Sequence, residues 1–164
     1  MTTLAYKAGV MACDSCWAYG DVQTTSATKL LGLPSGAVLG QAGDADSRPI
    51  QELLARVKSS KQLPTKADLA ATHVDFCGLL AFPSGEVFML SIEPASAEAN
   101  VWLAQLWRAD RRGMAAAGSG SHLALGAMAA GKTAREAVAI ACDWDLNSRL
   151  PVHSLPVVKR KPRL

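Results

Sequence analysis

Residues 2–14 read Thr-Thr-Leu-Ala-Tyr-Lys-Ala-Gly-Val-Met-Ala-Cys-Asp, and their reading decides the fold. Residues 2–7 alternate loosely and suit a strand, Gly9 makes a turn, and Val10–Cys13 is a second short strand that delivers Asp14. Met1 precedes a small residue and is of the kind that cells trim, which leaves Thr2 as the mature N-terminus. A terminal threonine carries a hydroxyl nucleophile and a free α-amine in one residue. That amine titrates near ~7.7–8.0, so it serves as the hydroxyl's own base near neutral pH.

Outward from this hairpin, turns and strands alternate with helix pairs. Lys29-Leu-Leu-Gly-Leu33 leads into the turn Pro34-Ser35-Gly36, and Ala37–Gly40 forms the next strand. Ile50, Leu53, Leu54 and Val57 stand on one face of a 3.6-residue period, with Pro49 in the first turn and Asp46 or Ser47 as cap. Thr65 caps a second short helix. Cys77–Phe82 and Glu86–Ile92 read as strands joined at Pro83-Ser84-Gly85. Met114–Ala117 is a small-residue strand running into Gly118-Ser119-Gly120-Ser121 and a helix that ends at Gly131. Thr133-Ala-Arg-Glu136 is a capping box opening the last helix. Residues 18–27 read as a polar loop, residues 93–112 as an insertion between two strands, and residues 151–164 as a strand-like basic tail.

Composition sets the outer limits. At 164 residues the chain reads as one domain of 1–164 with a real core. Apolar residues at 49% against 19% charged exclude an intrinsically disordered chain. The formal charge of +3 comes from Lys159, Arg160, Lys161 and Arg163; residues 1–158 hold 13 basic and 14 acidic groups. A near-neutral body argues against nucleic acid as the main partner. No apolar run approaches the ~20 residues of a membrane span, and no signal peptide is legible. Four scattered cysteines, Cys13, Cys16, Cys77 and Cys142, do not form a disulfide framework, so a reducing cytoplasm is expected. Cys13-Asp14-Ser15-Cys16 lacks the second cysteine pair that a zinc site needs. Trp102 and Trp107 suit packing or subunit contacts, and His122 sits inside a helix.

Thr2-Thr3, Ala12-Cys13-Asp14, Lys29, Gln41-Ala42-Gly43, Gly118-Ser119-Gly120-Ser121, Thr133–Glu136 and Asp145-Leu-Asn-Ser148 form an ordered set. In that order they resemble a proteasome β-type subunit, closest to the HslV peptidases, over about residues 2–57 and 114–150. The resemblance implies an α+β fold: a four-layer αββα sandwich of the N-terminal-nucleophile hydrolase type. It implies Thr2 as nucleophile, Lys29 beside the hydroxyl, Asp14 holding Lys29 charged, and Gly43 offering its N–H to the oxyanion. Ser119, Asp145 and Ser148 form the hydrogen-bond network around the α-amine. A monovalent or divalent cation is implied at the turn of Cys142, Asp145 and Ser148, with no cofactor needed for catalysis.

The same resemblance implies a self-compartmentalising threonine endopeptidase in stacked rings of six or seven identical subunits. Its substrates are unfolded polypeptides, delivered by an AAA+ unfoldase. The first hairpin is shorter than the family's, and the bend Gly43–Asp46 is more acidic. Gln41 lies at the base of the main specificity pocket, for which a polar-tolerant character is expected. Two alternatives stand beside this reading: a non-catalytic ring or scaffold, and an amidase of small substrates on the same fold.

Overall fold

The computed structural model describes residues 2–19, 22–25, 29–43, 47–96, 101–110 and 112–158. Met1, the 44–46 part of the acidic bend and the basic residues 159–163 lie outside them. The chain begins with strands β1 (Thr3–Lys7) and β2 (Val10–Cys13), joined through Ala8 and Gly9, both at positive φ. β1 lies between β2 and β10 (Met114–Gly118), and β2 continues to β11 (His153–Pro156). This four-stranded antiparallel sheet is therefore built from both ends of the chain. The expected strand-like character of the tail is met by β11, whose Leu155 lies opposite Met11.

The second sheet has five antiparallel strands in spatial order: β5 (Leu30–Gly32), β6 (Val38–Gly43), β7 (Phe76–Ala81), β8 (Val87–Pro94) and β9 (Trp102–Arg108). Two expectations change here. Residues 102–108 are no loop-like insertion. They form the edge strand β9, with Trp107 opposite Met89 and Leu103 opposite Glu93. Residues 18–27 are no simple loop either, since β3 (Cys16–Tyr19) pairs with β4 (Val22–Thr25). Both stretches carry tryptophan or tyrosine, and β4 adds β-branched valine and threonine; such residues fit a pleated surface.

Period-2 alternation sorts the side chains into layers. Leu4, Tyr6, Met11, Cys13, Ala115 and Ala117 point from the first sheet towards Val38, Leu79, Ala81 and Val87 of the second. On the opposite faces, Ala5 and Ala12 pack under α3 (Ser121–Ala129) and α4 (Ala134–Trp144). Leu39, Phe76, Leu80, Leu90 and Ile92 pack under α1 (Arg48–Ala55) and α2 (Lys66–Ala70) through Ile50, Leu54 and Leu69. The result is the αββα sandwich that the resemblance implied. A Cβ on Gly40 would meet Met11 Sδ at 2.7 Å, so the bare backbone there lets the two sheets close.

The helices start where the caps require. Thr65 and Thr133 each accept from the backbone N–H three residues on, and Asp68 and Glu136 reach back to the cap N–H. Both are complete capping boxes. Ser47 precedes α1 but caps no backbone; its hydroxyl donates to the Gln41 carboxamide oxygen at 2.5 Å. Among the described residues, no helix is long and apolar enough to cross a membrane.

Candidate active site

Three chain segments converge at one end of the first sheet. Thr2 enters β1, Asp14 leaves β2, and Lys29 enters β5. The Lys29 ammonium donates to Thr2 Oγ1 at 2.6 Å and to Asp14 Oδ1 at 2.9 Å. All three side chains are buried, with Lys29 only 2% and Asp14 0% exposed. Asp14 is saturated: Thr3 N–H donates to Oδ1 at 2.9 Å, Cys16 N–H to Oδ2 at 2.8 Å, and Arg149 N–H to Oδ2 at 3.2 Å. A buried ion pair survives through such extra hydrogen bonds. Removing one partner alone leaves an uncompensated charge, at a cost of about 3–5 kcal/mol.

Trp17 adds a contact that the sequence reading missed. Its ring centroid lies 5.9 Å from Lys29 Nζ, within cation–π range. Its indole N–H is buried without an acceptor among the described residues. No local spacing in the sequence marks it, because Trp17 and Lys29 meet only through the folded chain.

A second network lies on the other side of Thr2. Ser119 Oγ donates to Asp145 Oδ2 at 2.7 Å and lies 3.5 Å from the Thr2 carbonyl oxygen. Ser148 Oγ donates to the same carboxylate oxygen at 2.6 Å, and Thr3 Oγ1 is 2.6 Å from Ser148 Oγ. Asn147 N–H donates to Asp145 Oδ1 at 3.3 Å. Burial alone would raise the Asp145 carboxyl, but the hydrogen bonds from Ser148, Ser119 and Asn147 outweigh it and hold the group below its ordinary value.

Glycines make room for this network. Gly118 has φ +87°, and a Cβ there would fall 1.8 Å from the Thr2 carbonyl oxygen. A Cβ on Gly120 would fall 2.1 Å from Thr3 Oγ1. The Gly-Ser-Gly sequence is thus required by close approach of backbone and side chains.

Gly43 closes β6 opposite Phe76. Two residues earlier, Gln41 N–H donates to the Lys29 carbonyl at 2.9 Å, which ties the end of β6 to the lysine. The Gln41 carboxamide oxygen accepts from Ser47 Oγ and from Gln51 Nε2 at 3.1 Å. Its amide nitrogen donates to no described residue.

Cys142 sits on α4, half-buried, and burial together with Asp14 pushes its thiol up to about 12. It is therefore a neutral thiol at neutral pH. Two of the carbonyls named for a cation at this turn each accept a hydrogen bond. The Ser148 carbonyl accepts from the Arg149 guanidinium at 3.1 Å, and the Asp145 carbonyl accepts from Ser148 N–H at 3.1 Å. Among the described residues, no group of three or more His, Cys, Asp or Glu side chains is placed to hold a metal ion.

Comparison with known proteins gives the fold. No family model and no curated protein matches the chain. Among solved structures, Thiobacillus denitrificans BPH in complex with Epoxomicin is similar with a TM-score of 0.62 at 21% identity, over 95% of this chain and 98% of that one. HslV from Trypanosoma brucei gives 0.62 at 19% identity, over 95% and 99%. The Pseudomonas aeruginosa Anbu complex, a helical assembly, gives 0.56 at 16% identity, over 95% and 80%. The chain has the proteasome-like, HslV-type fold.

Proposed function

We propose that this protein is a threonine endopeptidase in which Thr2, freed of Met1, is the nucleophile. The observation that carries the reading is the buried Thr2–Lys29–Asp14 contact, with the ammonium 2.6 Å from the hydroxyl oxygen and 2.9 Å from the carboxylate. A fixed ammonium beside a hydroxyl stabilises the negative charge that develops on oxygen during attack. Asp14 keeps that ammonium charged and aimed.

In the first step Thr2 Oγ1 attacks the peptide carbonyl carbon, and its proton passes to the α-amine. The Gly43 N–H is the proposed donor to the oxyanion of the tetrahedral intermediate. The α-amine then passes the proton to the leaving amine, the C–N bond breaks, and an acyl ester remains on Thr2. In the second step water attacks the ester carbonyl, the α-amine takes the water's proton, and the C–O bond to Thr2 breaks. Threonine Oγ1 recovers its proton from the α-amine. Ser119, Asp145 and Ser148 would anchor the α-amine through these transfers.

The ring-like quaternary structure belongs to the same proposal. Identical subunits enclose the sites, unfolded polypeptide is the substrate, and a AAA+ unfoldase is the delivering partner. Enclosure restricts an otherwise indiscriminate nucleophile to threaded chains. The helical Anbu assembly on the same fold supports self-association.

Intact mass before and after incubation with epoxomicin, a peptide epoxyketone, tests the reading. That reagent forms its ring adduct with a threonine bearing both a free hydroxyl and a free amine. Loss of Met1 with one adduct per chain, absent in Thr2→Ala, is the expected result. A chain that has lost Met1 and takes no adduct would sink the proposal.

A further inference from the structure

The turn after α4 is where the resemblance places a cation, and it is also where the chain carries a cation of its own. The Arg149 backbone is held on both sides: its N–H donates to Asp14 Oδ2 at 3.2 Å, and its carbonyl accepts from Ser15 N–H at 2.9 Å. Two residues on, Ser15 Oγ donates to the Pro151 carbonyl. With the backbone fixed in this way, the half-buried side chain turns back, and Nη1 donates to the Ser148 carbonyl at 3.1 Å.

We propose that the Arg149 guanidinium is a built-in replacement for a dissociable metal ion at the 142–148 turn. A guanidinium supplies a permanent positive charge with several fixed donors, and it does not dissociate. Its charge beside the Ser148 carbonyl repels a metal ion from the same oxygen. The Ser148 hydroxyl and the Asp145 carboxylate belong to the network facing Thr2, so whatever holds this turn also holds that network. Arg149 is in this sense a positioning residue. Its effect on turnover rests on the catalytic reading above; its effect on metal binding does not.

Three preparations separate the outcomes: wild type, Arg149→Met and Arg149→Lys. Terbium luminescence, sensitised by the exposed Trp144 at the start of this turn, reports metal binding without catalysis. Thermal unfolding in magnesium chloride against tetramethylammonium chloride at equal ionic strength is the second readout. The rate of epoxomicin adduct formation is the third. Wild type and Arg149→Lys are expected to show no saturable terbium signal and no specific response to magnesium. Arg149→Met is expected to acquire a terbium site that magnesium displaces, to form adduct about tenfold more slowly, and to be restored by magnesium alone.

A saturable terbium signal in wild type, lost in Asp145→Asn, would overturn the proposal even if Arg149→Met fails to fold. An Arg149→Met protein that folds and ignores magnesium in both binding and stability would overturn it as well. A chain that never forms adduct leaves the first two readouts intact, so failure of the catalytic reading is told apart.

Discussion

At the residue scale, the resemblance puts Gln41 at the base of the main specificity pocket, and its contacts support a prediction. Ser47 and Gln51 both donate to its carboxamide oxygen, which fixes the side chain, and among the described residues the amide nitrogen has no acceptor. A fixed donor at the base of a specificity pocket favours substrate side chains that accept a hydrogen bond. Cleavage of a peptide library is expected to show acceptor-bearing residues before the cut. Gln41→Leu should shift the preference towards aliphatic residues by roughly tenfold or more. A wild-type preference for large apolar residues alone would contradict this. Thr2, Asp14 and Lys29 were legible in the sequence through the resemblance of the ordered motif set, since a strand-end position alone fits an ordinary turn aspartate or surface lysine. Trp17 and Arg149 were not. Their roles depend on where the β3 strand and the turn after α4 come to rest, and no local spacing encodes a contact over 12 or 135 residues.

At the element scale, the loop from β10 to α3 sets the tolerance of the site. Gly120 has Thr3 Oγ1 where its Cβ would be, at 2.1 Å, and the Ala141 methyl at 3.1 Å. Gly120→Ala is therefore expected to break the Thr3–Ser148 contact and to lower stability by about 1–3 kcal/mol, read from urea unfolding. Adduct formation at Thr2 should slow in the same variant. An unchanged unfolding midpoint would show that the loop yields more easily than the packing suggests. The capping box at 133–136 made the start of α4 readable from four residues, and Thr65 alone marked the start of α2, where the structure completes a box with Asp68. The strand β9 was harder to read, because Trp102 and Trp107 mimic neither a clean helix face nor a strict alternation. Only against the rest of the sheet does their division become plain. Trp102 stacks on His73 at 5.8 Å and packs into the core, whereas Trp107 faces outward.

At the scale of the whole molecule, β9 ends the five-stranded sheet with no partner on its outer side among the described residues, and Val101, Leu103 and Trp107 are exposed on or beside it. Open edges with apolar side chains invite pairing with another chain. In a ring-forming protein this edge is a natural subunit contact. Native mass is expected to show a multi-subunit assembly for wild type. Leu103→Glu combined with Trp107→Glu should reduce it to smaller species without unfolding the sandwich. An assembly of unchanged mass would place the contact elsewhere.

The central position of β1 in its sheet has one more consequence, and it concerns time. Thr2 is synthesised well before its neighbours, which come from β10 and Ser119 on one side, while Asp145, Ser148 and Arg149 complete the surroundings. At ~5–20 residues per second, several seconds of synthesis separate the nucleophile from these groups. A nascent chain therefore carries its threonine unassembled for most of its translation. On the proposed reading, the order of synthesis keeps the site incomplete until the chain is nearly finished.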